Sequence, residues 1–330
     1  MYYQVEQVLA KQEPEIENFY KGRGILICEA AQGLFALKEY FGSAEKAEFL
    51  YWLGVYLESQ GIHCDSMLKT KEGGLITEGV DGIPYTLHHW MRGRECDVKN
   101  RMDILMAVSF LAKFHRVCTG PEYQEAVKPF LGTGSRSATL CEEYSRHDRE
   151  LKKIRKFILK RHDKSDFERL YLACFPDFCR QSEEVVHFLA DHPESDGGYT
   201  VGICHGDVNQ HNILFTPTGP WLIHMERSRI GAQISDLGNF MRKVLEKYDW
   251  EERLGMDILQ EYCRVHELQK TDLQGLYYRL SYPEKFWKIA NHYYNSSKVW
   301  DSGKNREKLS KEIRQNLSRG RFLEKFQKLL

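Results

Sequence analysis

The stretch Cys204-His205-Gly206-Asp207-Val208-Asn209-Gln210-His211-Asn212-Ile213-Leu214-Phe215 carries the most specific information in the chain. A polar loop lies between apolar segments and sets Asp207 and Asn212 five residues apart. A turn held between two strands is stiff enough to present both side chains to one point. Phosphoryl transfer uses such a pair: a carboxylate accepts the hydroxyl proton, and an amide oxygen holds the Mg²⁺ that clamps the phosphates. The competing explanation is a polar hairpin turn, where Asp and Asn are common for backbone reasons.

Around this loop the apolar pattern changes along the chain. Ile25–Cys28 and Leu34–Lys38 read as strands joined by a turn at Ala30–Gly33, and further strand-like runs follow at Gly74–Thr77 and Pro84–Leu87. From Ser43 to Ser59 the period is helical, with Phe49, Leu50, Leu53, Tyr56 and Leu57 at three- and four-residue steps, Ser43 as N-cap and Gly61 as stop. Beyond about residue 90 helices dominate: Asp97–Arg116, Ser137–Arg161, Lys164–His192, Ile234–Tyr248, Trp250–Val265, Asp272–Ser281, Pro283–Trp300 and Arg306–Lys328. Only Val201–Phe215 and Trp221–Met225 interrupt them. Strands first and helices later predict an α+β fold with a sheet-rich lobe over 1–88 and a helical lobe over 89–330, the latter holding the catalytic-type loop 204–226.

The 330 residues suggest about two domains. With 42% hydrophobic and 28% charged residues the composition is globular, which excludes a disordered or fibrous chain. Lys and Arg total 47 and Asp and Glu 47, a balance that argues against nucleic-acid binding by bulk charge. Nine cysteines, an odd number without C-x-x-C spacing, read as reduced and mostly buried thiols in a cytosolic protein. The first residues, Met1-Tyr2-Tyr3-Gln4-Val5-Glu6, lack the features of a signal peptide, and no apolar run is long enough to span a bilayer.

Lys38 is the second chemical signal. It stands in the strand Leu34–Glu39 among apolar residues, where an ammonium reaches over the sheet toward nucleotide phosphates, steadied by a Glu of the next helix. Glu48 is the first choice for that partner and Glu45 the second. An exposed strand lysine is the plainer alternative.

His205-Gly206-Asp207 with Asn212, Leu37-Lys38 and Leu111-Ala112-Lys113-Phe114-His115 resemble the aminoglycoside phosphotransferase/choline kinase branch of the protein-kinase-like fold. Within it, His89-Trp90-Met91-Arg92-Gly93-Arg94-Glu95, Asp236-Leu237 with Phe240-Met241-Arg242-Lys243, and Tyr282-Pro283-Glu284-Lys285-Phe286-Trp287 resemble the CotS family of bacterial spore coat proteins. The resemblance implies a two-lobe kinase-like fold over nearly the whole chain. It makes Asp207 the catalytic base position, His205 the brace of its loop, Asn212 a metal ligand and Lys38 the phosphate contact. The segment Tyr85–Trp90, with Tyr85 and His89, would be the hinge that meets an adenine. Asp236 would be a buried support of the loop, with helix capping as its alternative. ATP and Mg²⁺ are the implied cofactors.

The departures from that pattern weigh more. Where the family carries Ile-Asp-Phe/Trp-Asp/Glu, this chain reads Leu222-Ile223-His224-Met225-Glu226, so His224 replaces the principal Mg²⁺ ligand. Imidazole suits Mg²⁺ poorly because that ion demands hard oxygen donors. Glu226, two residues on and expected to face the same way on a strand, is the substitute. The loop Glu29–Gly33 is also short and poor in glycine for wrapping a triphosphate. The expectation is therefore a pseudokinase of the spore coat, made in the mother-cell cytoplasm and deposited on the spore. Its expected partners are coat proteins or coat polymer, with a nucleotide or sugar as ligand, no nucleic acid and no membrane span. An active ATP-dependent phosphotransferase acting on a small-molecule or sugar hydroxyl is the alternative, and a metal-free nucleotide-sensing scaffold a third class. The basic stretches Lys152–Arg161 and Lys304–Lys328 read first as solvated helix faces and second as adhesion surfaces. His88 and His89 read as packed or water-facing, and the aromatic pairs Tyr277-Tyr278, Phe286-Trp287 and Tyr293-Tyr294, with Trp300, as core.

Overall fold

In a computed structural model of the chain, the described residues are 2–22, 24–80, 82–131, 139–295 and 302–330. They form two compact units, one of Met1–Ser135 with Gly202–Gly231, the other of Arg136–Val201 with Ala232–Leu330. The sequence marks residue 88 as the point where sheet gives way to helix. The units cut the chain elsewhere, because a unit is defined by what packs together and not by local composition.

Along the first unit run α1 (Tyr2–Leu9), β1 (Ile16–Lys21), β2 (Leu26–Ala30), β3 (Gly33–Glu39), α2 (Ala44–Ser59), β4 (His63–Cys64), β5 (Thr77–Glu78), β6 (Pro84–Trp90), β7 (Arg94–Glu95), α3 (Arg101–Val117) and α4 (Pro121–Ala126). Later in the chain come β8 (Val201–Cys204), β9 (Ile213–Thr216), β10 (Gly219–Leu222) and β11 (Arg229–Ala232). An antiparallel five-stranded sheet has the order β1-β2-β3-β6-β5, and a second, four-stranded sheet the order β4-β10-β9-β7. The expected β2–β3 hairpin is present, with Ala30 paired to Gly33. Period-two alternation puts Phe35 and Leu37 on the face packed with Val8, Cys28 and Leu87, and Ala36 and Lys38 on the other. The register sets Ala36 opposite His88 and Lys38 opposite Thr86, so these four share a face. At α2 the Ser43 side chain accepts the Lys46 amide at 3.2 Å, the predicted cap, a contact that typically stabilises a helix by about 1 kcal/mol.

The second unit holds α5 (Leu140–Lys160), α6 (Asp166–Asp191), α7 (Ile234–Leu245), α8 (Glu252–Val265), α9 (Lys270–Ser281), α10 (Glu284–Asn295) and α11 (Ser302–Gln327). All seven predicted helical stretches of this part are found; the expected beginning at Ser137 and the end at Trp300 lie outside the described residues. α6 packs on α5 and α11, and α10 on the same two, around Phe167, Tyr171, Phe178, Phe286 and Tyr293. Phe286 and Tyr293 are thus core as expected, whereas Trp287, Tyr294, Tyr277 and Tyr278 are half-buried, and Trp300 lies outside the described residues. Phe286 stacks on Phe178 at 4.4 Å and on Tyr171 at 5.1 Å between ring centres. The basic stretch of α5 is exposed but partly neutralised, with Lys152 paired to Glu183 and Arg161 to Glu168. The architecture is the predicted α+β class: an N-terminal antiparallel sheet and a mainly helical C-terminal region.

No helix among the described residues is long and apolar enough to cross a membrane. All nine cysteines are free thiols, six of them buried. Burial pushes the Cys28 thiol up to about 11, which marks it as packing and not as a nucleophile.

Candidate functional site

The loop after β8 is braced by one imidazole. Fully buried His205 donates from Nε2 to the Ile223 carbonyl at 3.0 Å, and its Nδ1 accepts the Asp207 amide N–H at 3.2 Å. A single tautomer satisfies both contacts, which tie the loop to the Ile223 backbone. The Asp207 carbonyl then accepts two side-chain amides, Asn212 Nδ2 at 2.8 Å and Asn209 Nδ2 at 2.9 Å. Asp207 and Asn212, five apart in sequence, are clamped to one turn, with the Asp207 side chain half-buried. Gly206 makes this turn with φ at +82°, and a Cβ there would meet the Arg227 carbonyl oxygen at 2.5 Å. Gly206→Ala is expected to lose about 2 kcal/mol or more of first-unit stability, because left-handed strain adds to a backbone clash. Urea unfolding checks this; a midpoint equal to that of the unmodified chain would refute it.

Lys38 lies where the sequence puts it, but its partners differ. The ammonium, on a residue 5% exposed, is ion-paired to Asp65 Oδ2 and, at 2.6 Å, to Glu226 Oε1. Glu45 and Glu48 are both exposed, and neither pairs with Lys38. The buried α2 residues are Ala47, Phe49, Leu50, Leu53, Gly54 and Leu57, so the inward face of this helix is apolar. Burial alone would push the Lys38 ammonium down, yet the two carboxylates outweigh it and hold it above its ordinary value. Burial likewise pushes Glu226 up, and Lys38 more than reverses this, bringing its carboxyl to about 2. The group is a fixed cluster of one cation and two anions.

Asp65 is the member of this cluster that sequence reasoning missed. It is 1% exposed and arrives by parallel pairing of β4 with β10, Cys64 opposite Leu222. Its Oδ2 also accepts the His224 amide at 2.7 Å, and its carbonyl accepts His88 Nδ1–H at 2.9 Å. His88 Nε2 in turn accepts the Thr86 hydroxyl at 2.9 Å. No motif or spacing flags a single Asp after a two-residue strand.

The expected strand Leu222–Glu226 is not formed. β10 ends at Leu222, His224 takes a left-handed conformation with φ 65°, and Met225–Arg227 make a 3₁₀ turn. Strand alternation therefore does not govern Glu226, which turns to Lys38 while the His224 ring stands apart, its Nδ1 3.9 Å from Glu226 Oε2. Burial first, and Lys38 next, push the His224 imidazole below its ordinary value, so it is neutral at neutral pH. Among the described residues no group of three or more His, Cys, Asp or Glu side chains is placed to hold a metal. With Glu226 committed to Lys38 and an imidazole at His224, the oxygen donors left on the loop are the Asp207 carboxylate and the Asn212 amide. An imidazole at His224 in place of a third oxygen donor makes a poor set for the ion.

A cavity of about 500 Å³ lies beside the loop. Tyr20, Ile27 and Leu34 of the first sheet form one wall, Leu214 and Ile223 another, and Glu95, Asn209, His211, Asn212 and His224 its polar side. Trp90–Gly93 line its edge, whereas Tyr85 and His89 do not line it. Tyr85 is held in the sheet opposite Glu39 and Thr77, and exposed His89 lies against Phe35 at 5.7 Å. Tyr85–Trp90, expected as a hinge, is paired to β3 along its whole length, and only its last residue lines the cavity. Lys38 is also absent from the cavity lining. Asp236 is buried in the first turn of α7, in the second unit.

Residues 15–326 match the family model described as spore coat putative kinase YutH. The endospore coat-associated protein YutH of Bacillus subtilis (strain 168) is 26% identical over 268 residues, covering 78% of this chain and 72% of that protein. The expected coat-protein, kinase-like group is found, under the YutH description where the residues pointed to CotS. Among solved structures, an aminoglycoside phosphotransferase from Alicyclobacillus acidocaldarius superposes with a TM-score of 0.82 at 19% identity, covering 98% of this chain and 95% of that one. A spectinomycin phosphotransferase in complex with ADP and spectinomycin gives 0.65 at 13% identity, covering 99% and 98%. At these identities the structures establish the fold.

Proposed function

The chain belongs to the spore coat putative kinase YutH family and is a kinase-like spore coat protein; from that premise we propose that it is a pseudokinase, acting in the coat by binding. The observation that carries this reading is the Lys38 ammonium closed between Asp65 and Glu226. One cation and two carboxylates leave a net negative charge around Lys38, and no free ammonium of Lys38 reaches the cavity to meet a phosphate. The apolar walls of the cavity suit a flat ring such as a nucleotide base. Its polar side carries one carboxylate, Glu95, already bonded to His211, and an imidazole at His224 where a metal-bound phosphate calls for an oxygen donor. Losing such a metal ligand removes several kcal/mol of transition-state stabilisation, roughly a thousandfold or more in rate. Coat proteins or coat polymer are the proposed partners. Synthesis in the mother-cell cytoplasm followed by deposition on the spore is the proposed route.

One observation favours a second reading, an ATP-dependent phosphotransferase acting on a small-molecule or sugar hydroxyl: the loop His205–Asn212 retains a complete hydrogen-bonded frame around Asp207. ATP binding and turnover separate the two. For a pseudokinase, thermal stabilisation by ATP is the same with and without Mg²⁺, and turnover in the unmodified protein is no greater than in Asp207→Ala. His224→Asp, which restores a carboxylate, should raise Mg²⁺-dependent turnover above that background. Robust Mg²⁺-dependent turnover of the unmodified chain, abolished by Asp207→Ala, would establish the enzyme instead.

A further inference from the structure

Helix α5 orders its cations along one line. Arg146, Arg149, Lys153, Lys156 and Lys160 follow at steps of three, four, three and four residues, and all five are exposed. That spacing sets them on a single helix face over about 21 Å of its length. Leu151, Ile154 and Ile158 anchor α5 in the core, so the five cations occupy its solvent side. None of the five has a carboxylate partner among the described residues. The acids of this stretch serve other groups. Buried Asp148 accepts the Tyr282 hydroxyl at 2.9 Å, and Glu150 accepts the Trp287 indole N–H at 2.7 Å and the Asn291 amide at 2.9 Å.

Other surface cations of the same unit are neutralised by an acid one turn away: Arg180 by Glu184 at 3.0 Å, Arg264 by Glu261 at 2.7 Å, and Lys288 by Glu284. On α5 itself Lys152 and Arg161, which lie off this face, are paired with Glu183 and Glu168. Like charges one turn apart disfavour a helix, so an anion from outside would relieve the face. An apolar contact borders it. Phe157, 49% exposed, is one turn from both Lys153 and Lys160, and its ring is held edge-on against Tyr294 at 5.5 Å.

We propose that this face of α5 docks an acidic helix of a partner protein, one carrying Glu or Asp at the same three- and four-residue steps. A second helix repeats its side chains with the period and rise of α5, so each cation meets one carboxylate. Charge pairs of this kind fix partner choice and orientation. Phe157 offers an apolar contact that a bare polyanion has no group to fill. The surface deepens the binding role proposed above and rests on it only for the source of the partner. It shares no residue with the Lys38 cluster, so failure of one leaves the other standing.

The test is fluorescence anisotropy of a labelled, alanine-rich helical peptide with glutamates at alternating steps of three and four, titrated with the full chain in 50 mM salt. It is expected to bind at least fivefold tighter than a permuted peptide of the same composition whose glutamates do not share a face. Lys153→Gln/Lys156→Gln/Lys160→Gln should weaken binding tenfold or more, and Lys153→Arg/Lys156→Arg/Lys160→Arg should keep it within twofold. Lys308→Gln/Lys311→Gln/Arg314→Gln removes the same charge from exposed positions of α11 and should also leave binding within twofold. Absence of binding, equal affinity for the permuted peptide, or equal losses in the two Gln variants would overturn the proposal. So would tighter binding of polyphosphate or of phosphatidylglycerol vesicles through the same lysines, which would assign the face to a phosphate-rich polymer or a membrane.

Discussion

Lowering the pH from 7 to 4.5 is expected to remove about 5 kcal/mol of folding stability, shared between the two units. Burial, and then Lys38, hold His88 at about 4. Burial, and then Arg146, hold His147 at about 4 as well. Both are almost completely buried. His147 lies flat on Trp287, with ring centres 3.5 Å apart, and its Nδ1 has no partner among the described residues. Each has an ordinary value of 6.5 in the unfolded chain, so the unfolded chain takes up protons first. The stability conferred by the neutral rings is complete above pH 6.5 and drains as the pH falls toward 4, about 2–3 kcal/mol from each.

Further acidification attacks Glu226 and Glu284, both held near 2 against an ordinary 4.5. Burial opposes the charge of each, and Lys38 and Arg242 respectively overcome it. Their contribution is present above pH 4.5 and is lost toward pH 2. Asp148 and Glu312, raised mainly by burial, act in the opposite sense and offset part of the loss. Urea midpoints at pH 7 and 4.5 measure the effect, and His147→Phe should cancel the share of the second unit. Identical midpoints at the two pH values would contradict this account.

Asp65→Ala is expected to cost about 3–5 kcal/mol, the usual consequence of removing one partner from a buried ion pair. The substitution leaves the Lys38 ammonium with Glu226 alone and strips the His224 amide of its acceptor. The loss comes from an uncompensated charge more than from the lost attraction. Lys38→Met/Asp65→Leu should therefore recover a large part of it, since apolar groups of similar volume avoid the desolvation. A double-mutant cycle in urea reads the coupling. An Asp65→Ala penalty below about 1 kcal/mol would mean that water reaches Lys38 and that the cluster is not closed.

Local pattern explains what was legible from residues alone. Alternation and helical period give the β2–β3 hairpin, α2 and the helices of the second unit, because each reports which side of an element is apolar. β1, β4, β7 and β11 escape this reading, two of them because a two-residue strand has no period to detect. The Glu48 assignment fails for a related reason: the buried face of α2 is apolar, and its glutamates point to water.

By itself the sequence determined the fold class, the family, and the positions of His205, Asp207, Asn212 and Lys38, since each lies in a contiguous motif or a periodic element. Only the tertiary structure decided what Lys38 does. Its carboxylates come from Asp65 and from Glu226, the latter 188 residues away, and Asp65 meets His224 across 159 residues. Such pairings are created when β4 docks on β10 and the chain leaves the strand after Leu222. A charge's partner is fixed by proximity in a dry interior, and no spacing along the chain encodes it.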